Sequence, residues 1–174
     1  MLLCELDEEV INVCRKHYPE IDRSLADPRT TIVVGDAFET LGALHHELDA
    51  ILVDLTDPIG PAVRLFEDGF YAVCDQALNQ DGFLVAQLES LHYHPDVVRN
   101  SFGALRNRFV HAELLWGALA TYPGAFWTFG IASNGLDPTI VRRQQDLDAR
   151  LYQSDSHEWF FVPHSVRESM LAER

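Results

Sequence analysis

Two carboxylates three residues apart, Asp54 and Asp57, stand on a loop that Pro58, Gly60 and Pro61 stiffen. Such a pair could accept a proton from an attacking nucleophile and attract a cation. The apolar run at 50–53 is short and ends in polar and Pro/Gly punctuation, which predicts a buried parallel strand stopping at Asp54. Pro58, Gly60 and Pro61 then prevent regular structure. The carboxyl end of a strand in an open α/β sheet is where ligands bind. Turn chemistry competes with that reading, since Asp side chains also bond their own loop backbone or cap the next helix. The residues alone fit both.

Four further groups could do chemistry. Glu5 ends the apolar stretch 2–4, and a strand-end carboxylate can accept hydrogen bonds from both hydroxyls of a ribose. The bland alternative is negative charge near a helix start, which is the role expected of Asp7. Asp36, with Ala37, follows the strand 31–34, where Gly-Asp is more often a helix cap. Gln87 and Glu89 lie at the carboxyl end of a strand over 83–87 and could equally be solvated strand-end groups. Tyr122 sits in Thr-Tyr-Pro, a turn that can present a phenol or merely pack it. His92 and His94 form His-x-His, but no third ligand has sensible spacing, so no metal is expected.

The elements that must hold these residues alternate between strands and helices. Asp7 is placed to cap a helix through about His17, with Val10, Ile11, Val13 and Cys14 as its apolar stripe. Residues 22–29 read as a surface loop, 37–44 and 65–78 as helices, and Asp81-Gly82 as the turn into the strand 83–87. A helix over 95–108 follows, then an antiparallel pair over 109–119 and 127–132. Two terminal helices are expected over 138–151 and 163–171, each opened by a proline. No repeat or linker interrupts the 174 residues, so one domain spans 1–174.

Composition narrows the partners. The net charge of −14 argues against nucleic acid and anionic membrane surfaces; it would attract small cations, although solubility alone is the more common reason for such acidity. Cys4, Cys14 and Cys74 are odd in number and far apart, as in a reducing compartment. The opening residues are too short and too acidic for a signal peptide, and no apolar run approaches the roughly 20 residues of a membrane span. A cytoplasmic protein is expected.

The central segment Asp54-Leu-Thr-Asp57-Pro-Ile-Gly-Pro-Ala62 resembles the signature of the spermidine synthase family, the polyamine aminopropyltransferases. Glu5-Leu-Asp7-Glu8-Glu9-Val10, Gly35-Asp36-Ala37-Phe38-Glu39, Gln87-Leu-Glu89-Ser90, Thr121-Tyr122-Pro123 and Tyr152-Gln-Ser-Asp155-Ser-His157 match in the same order. Gly124-Ala125 departs from the family's usual Ser-Gly. The resemblance implies a Rossmann-like, class I methyltransferase-like sheet with flanking helices. It also implies transfer of an aminopropyl group from decarboxylated S-adenosylmethionine to putrescine or a related amine, giving spermidine and methylthioadenosine. By the same resemblance Asp54 is catalytic, Glu5 holds the ribose, and Asp36 with the backbone near Ala37 reads the adenine. Asp57, Gln87, Glu89 and Tyr122 meet the amine. Neither a prosthetic group nor a metal is implied.

The sequence has no Gly-x-Gly-x-x-Gly. The resemblance begins at the family's second strand, so the first strand, its glycine loop and the N-terminal β region are not represented. In the methyltransferase-like order that strand lies between those ending at Glu5 and Asp54. Its absence predicts two unpaired edges, which tend to recruit other strands. A complementing chain or a homo-oligomer is one way to cover them. Three readings therefore stand: an aminopropyltransferase; a non-catalytic homologue acting as a binding or regulatory subunit; and, ranked last, an S-adenosylmethionine-dependent methyltransferase.

Overall fold

A computed structural model describes residues 1–119, 121, 126–143, 149 and 152–172. The chain forms two compact units, Met1–Leu44 and His45–Arg174.

In the first unit, β1 (Leu2–Glu5) and β2 (Thr31–Val34) pair in parallel with Glu5 opposite Val34. Helix α1 (Glu8–His17) starts where Asp7 accepts a hydrogen bond from the Glu9 N–H, as its position before an acidic first turn predicts. Helix α2 (Pro19–Leu25) covers part of the stretch expected as a loop. Pro19 presets the first turn, so residues 22–25 are helical, while 26–29 form turns as expected of a loop. Helix α3 (Ala37–Gly42) is capped by Asp36 and ends two residues earlier than expected.

The second unit is built on a mixed sheet, ordered β3-β4-β6-β5, of β3 (Leu48–Val53), β4 (Leu78–Glu89), β5 (His111–Ala118) and β6 (Phe126–Ser133). β3 runs parallel to β4, and the expected antiparallel pair is present as β5 and β6. Helices α4 (Asp68–Ala77), α5 (Pro95–Arg108) and α6 (His164–Leu171) complete it. Phe70, Tyr71, Cys74, Val98, Phe102 and Leu105 are buried from α4 and α5, together with Leu84 and Leu88 of β4. Proline opens α5 and directly precedes α6.

Five expectations in this unit are corrected. The strand before Asp54 is parallel but not buried throughout: Ile51 is covered, whereas Leu52 is 76% exposed. Among the described residues β3 pairs only with β4, and β1 only with β2, so each leaves one edge unpaired. Regular structure resumes at Gly60, where φ of +58° suits glycine and a 3-10 helix, Gly60–Phe66, begins. That helix and α4 replace the single helix expected over 65–78, with the break at Glu67. Asp81-Gly82 is not a turn into a strand, because β4 already runs from Leu78 through both residues. Residues 138–143 are not helical: Asp137 accepts from both the N–H and the hydroxyl of Thr139, a local turn that competes with a helix. Residues 144–148, 150 and 151 of that expected helix lie outside the described residues. A second 3-10 helix, Ser154–Phe160, has no counterpart in the sequence reading.

Burial pushes the Cys74 thiol from 9.0 up to about 12, helped by the neighbouring charge of Asp75. Burial likewise lifts the Tyr71 phenol from 10.0 to about 12, against an opposing hydrogen bond with Ser101. Both folded values exceed the unfolded ones, so their stabilisation is complete below about pH 9 and is lost as pH rises toward 12. Unfolding free energies from urea titrations should hold from pH 8 to about pH 9 and then fall toward pH 11, by up to a few kcal/mol in total. A free energy flat across that window would contradict the burial of these groups.

Among the described residues no helix is long and apolar enough to cross a membrane, and no three His, Cys, Asp or Glu side chains cluster as metal ligands.

Candidate active site

Strand ends position the candidate residues in both units. In the first, Glu5 and Asp36 follow neighbouring parallel strands, linked by a hydrogen bond from the Gly35 N–H to the Glu5 carbonyl at 2.9 Å. The Glu5 Oε1 accepts from the Asp7 N–H at 2.9 Å, which anchors the carboxyl group at the sheet end. The Asp36 Oδ1 accepts from the Phe38 N–H at 2.8 Å, so Asp36 serves as the cap of α3, with Ala37 its first residue. Capping does not exclude ligand contact, because a carboxylate has lone pairs to spare.

In the second unit a cleft of about 460 Å³ opens at the carboxyl end of β3. Its walls are mainly apolar: Leu52, Val53 and Leu55 from β3 and the loop after it, Val85 from β4, and Leu119, Trp127 and Phe129. Among the described residues, Asp54 and Gln87 are the polar ones in this wall. Apolar walls with a few converging polar groups suit a ligand whose body is hydrocarbon and whose end is polar. Asp54 is exposed. Asp57 is exposed too, but it is not part of the cleft wall.

Gln87 and Glu89 are not solvated strand-end groups. Gln87 is 7% exposed and Glu89 is fully buried. A register shift lies between them, with φ of +84° at Glu89, and both side chains are buried. Positive φ at a non-glycine residue stores strain of about 1–3 kcal/mol and persists only where the surroundings hold it. The Thr128 hydroxyl does so in part, donating to the Glu89 carbonyl at 2.6 Å. The Glu89 carboxyl accepts from the Gln87 Nε2 at 3.4 Å on one oxygen and meets the His94 Nδ1 at 3.1 Å on the other. Glu89 therefore stands behind Gln87, not in the cleft wall. The Gln87 Oε1 is shielded from water and has no partner among the described residues, a deficit worth about 1–3 kcal/mol until a donor arrives.

Tyr122 lies outside the described residues; its neighbour Thr121 is an exposed turn residue. Sequence reasoning missed the cleft's apolar wall and the His94 contact. The i, i+2 alternation of Trp127 with Phe129, and of Val85 with Gln87, was the available signal.

Residues 1–143 match the Spermine/spermidine synthase domain. A polyamine aminopropyltransferase from Caldicellulosiruptor bescii is 37% identical over 169 residues, covering 95% of this chain and 61% of the relative. A spermidine synthase solved in complex with the transition state analogue AdoDATO superposes with a TM-score of 0.86 at 29% identity, covering 98% of this chain and 60% of that one. The spermidine synthase from Thermotoga maritima gives 0.83 at 28% identity, covering 98% of this chain and 59% of that one. The chain thus spans about 60% of the length of the relatives it matches.

Proposed function

Since the chain belongs to the spermine/spermidine synthase family, whose members are aminopropyltransferases, we propose that it transfers an aminopropyl group from decarboxylated S-adenosylmethionine to putrescine or a similar diamine. One observation carries this reading. The same apolar cleft holds an exposed carboxylate, Asp54, and a buried amide, Gln87, which suits an alkyl amine.

The attacking nitrogen must be unprotonated, although a free alkyl amine titrates near pH 10, as lysine does. Asp54 accepts its proton and fixes the lone pair toward the methylene carbon next to sulfur. The N–C bond forms as the C–S bond breaks, and its electron pair leaves on sulfur, so methylthioadenosine departs neutral. A sulfonium is already a good leaving group, so the protein's main task is alignment. Asp57 adds negative charge that draws the dication, and Gln87 accepts a hydrogen bond from an ammonium or amine N–H. Glu89 acts from behind Gln87, and Tyr122 is assigned to the amine slot from its motif. Glu5 is assigned the ribose, and Asp36 with the Ala37 backbone the adenine. The reading takes residues 1–174 as one catalytic-type domain made of the two units, acting in the cytoplasm without a metal or prosthetic group.

The test is to incubate the purified chain with decarboxylated S-adenosylmethionine and putrescine, and to follow methylthioadenosine by chromatography. Amine-dependent release supports the proposal; a folded chain that releases none overturns it. A second reading, a non-catalytic subunit bound to another chain, is favoured by the exposed Leu52 on the unpaired edge of β3. Co-purification at a fixed stoichiometry, without transfer by the isolated chain, would favour it.

A further inference from the structure

We infer that His94 is a positioning residue: through Glu89 it orients the Gln87 amide so that its carbonyl oxygen is kept as the acceptor for the substrate's N–H. The inference rests on the amine reading of the cleft and adds to it the group that sets the polarity of one contact. The three side chains form a line. The His94 Nδ1 is 3.1 Å from the Glu89 Oε2, and the Glu89 Oε1 is 3.4 Å from the Gln87 Nε2. Glu89 is fully buried and Gln87 nearly so, whereas the His94 side chain is 49% exposed.

An amide can be turned end for end, and only its neighbours decide which end faces which way. A carboxyl oxygen that accepts from His94 leaves its partner oxygen to accept from Gln87, which commits the amide nitrogen to Glu89. The Gln87 Oε1, shielded from water and unpaired among the described residues, is then the end left for a ligand's donor, which reaches it only when the wall around it gives way. A hydrogen-bond donor such as an amine fits there, and an acceptor such as a carboxylate or a hydroxyl's lone pair does not. Buried groups left unpaired by the wrong ligand give strong discrimination.

His94 is itself held in place. Its N–H donates to the Ser90 carbonyl at 2.8 Å, and the Ser90 hydroxyl accepts from the N–H groups of His92 and Tyr93. Pro95 then starts α5 at the next residue. The tight turn from Ser90 to His94 brings the imidazole back over a carboxyl group five residues earlier. It also gives the His-x-His pattern a use that involves no metal.

Nitrogen-15 NMR of the full chain tests this without depending on turnover. The expected result is a proton on the His94 Nδ1 and a dispersed, exchange-protected Gln87 side-chain amide. In His94→Leu that amide loses at least about 10-fold of its protection, and KM for putrescine rises roughly 10-fold while kcat stays within about 2-fold. His94→Asn, whose amide nitrogen lies near the place of Nδ1, restores both. A parent chain with the proton on Nε2 alone, or a Gln87 amide unchanged in His94→Leu, overturns the positioning role. A chain that shows the amide response but transfers nothing to putrescine supports the positioning and removes the amine reading.

Discussion

Asp54→Asn lowers putrescine-dependent methylthioadenosine release by roughly 100- to 10,000-fold, the range expected when a positioned base is removed. Asparagine keeps the shape and a hydrogen-bonding oxygen but cannot take the proton from an attacking amine. The loss should fall on kcat and kcat/KM alike, because proton acceptance matters only as the transition state forms. Asp54 is exposed at the mouth of the cleft, so the substitution removes no buried contact and the unfolding midpoint should stay near the parent's. Steady-state rates read beside a urea titration check both parts. A variant within about 3-fold of the parent rate would take the general-base role away from Asp54.

The largest expected effect on stability comes from Phe102→Ala. Phe102 is 1% exposed on α5, one helical step from the buried Val98 and Leu105, and the Ser101 hydroxyl beside it donates to the Phe66 carbonyl. The guanidinium groups of Arg106 and Arg167 lie 5.8 and 5.7 Å from its ring centre. Arg167 also reaches across to Glu113 of β5 at 2.5 Å, so the ring underlies the attachment of α6. Truncation leaves a cavity and removes both cation–π contacts, for a loss of about 3–5 kcal/mol and a Tm lower by on the order of 10 °C. Phe102→Leu, which refills most of the space, should lose less than half as much. Calorimetry of the two variants decides it; an alanine variant within about 1 kcal/mol of the parent would mean that α5 does not carry this core.

Much of the frame could be read from local signals. Asp7 before an acidic turn marks the start of α1, and Pro95 marks that of α5. The apolar runs ending at Glu5, Val34 and Val53 give three strands whose ends carry the candidate carboxylates. The site was less legible, because its decisive contacts are not local. In sequence Glu89 fits either an acidic contact for an amine or a solvated strand-end charge. Its burial depends on a register shift against β6, on Thr128 of that strand and on a turn that returns His94. The cleft wall draws on Trp127 and Phe129, more than 70 residues beyond Asp54 in the sequence. Residues 138–143 failed as a helix for a different reason: Pro138 is a good helix opener, but Asp137 had already claimed the backbone and hydroxyl of Thr139.

The proposed reaction moves an aminopropyl group and not a methyl group. The most direct measurement uses decarboxylated S-adenosylmethionine labelled with one isotope in the aminopropyl carbons and another in the methyl, incubated with putrescine and the purified chain. Aminopropyl transfer puts the aminopropyl label in spermidine and the methyl label in methylthioadenosine, in equal amounts. Methyl label in the acceptor, or no label moved by a chain shown to be folded, would contradict it.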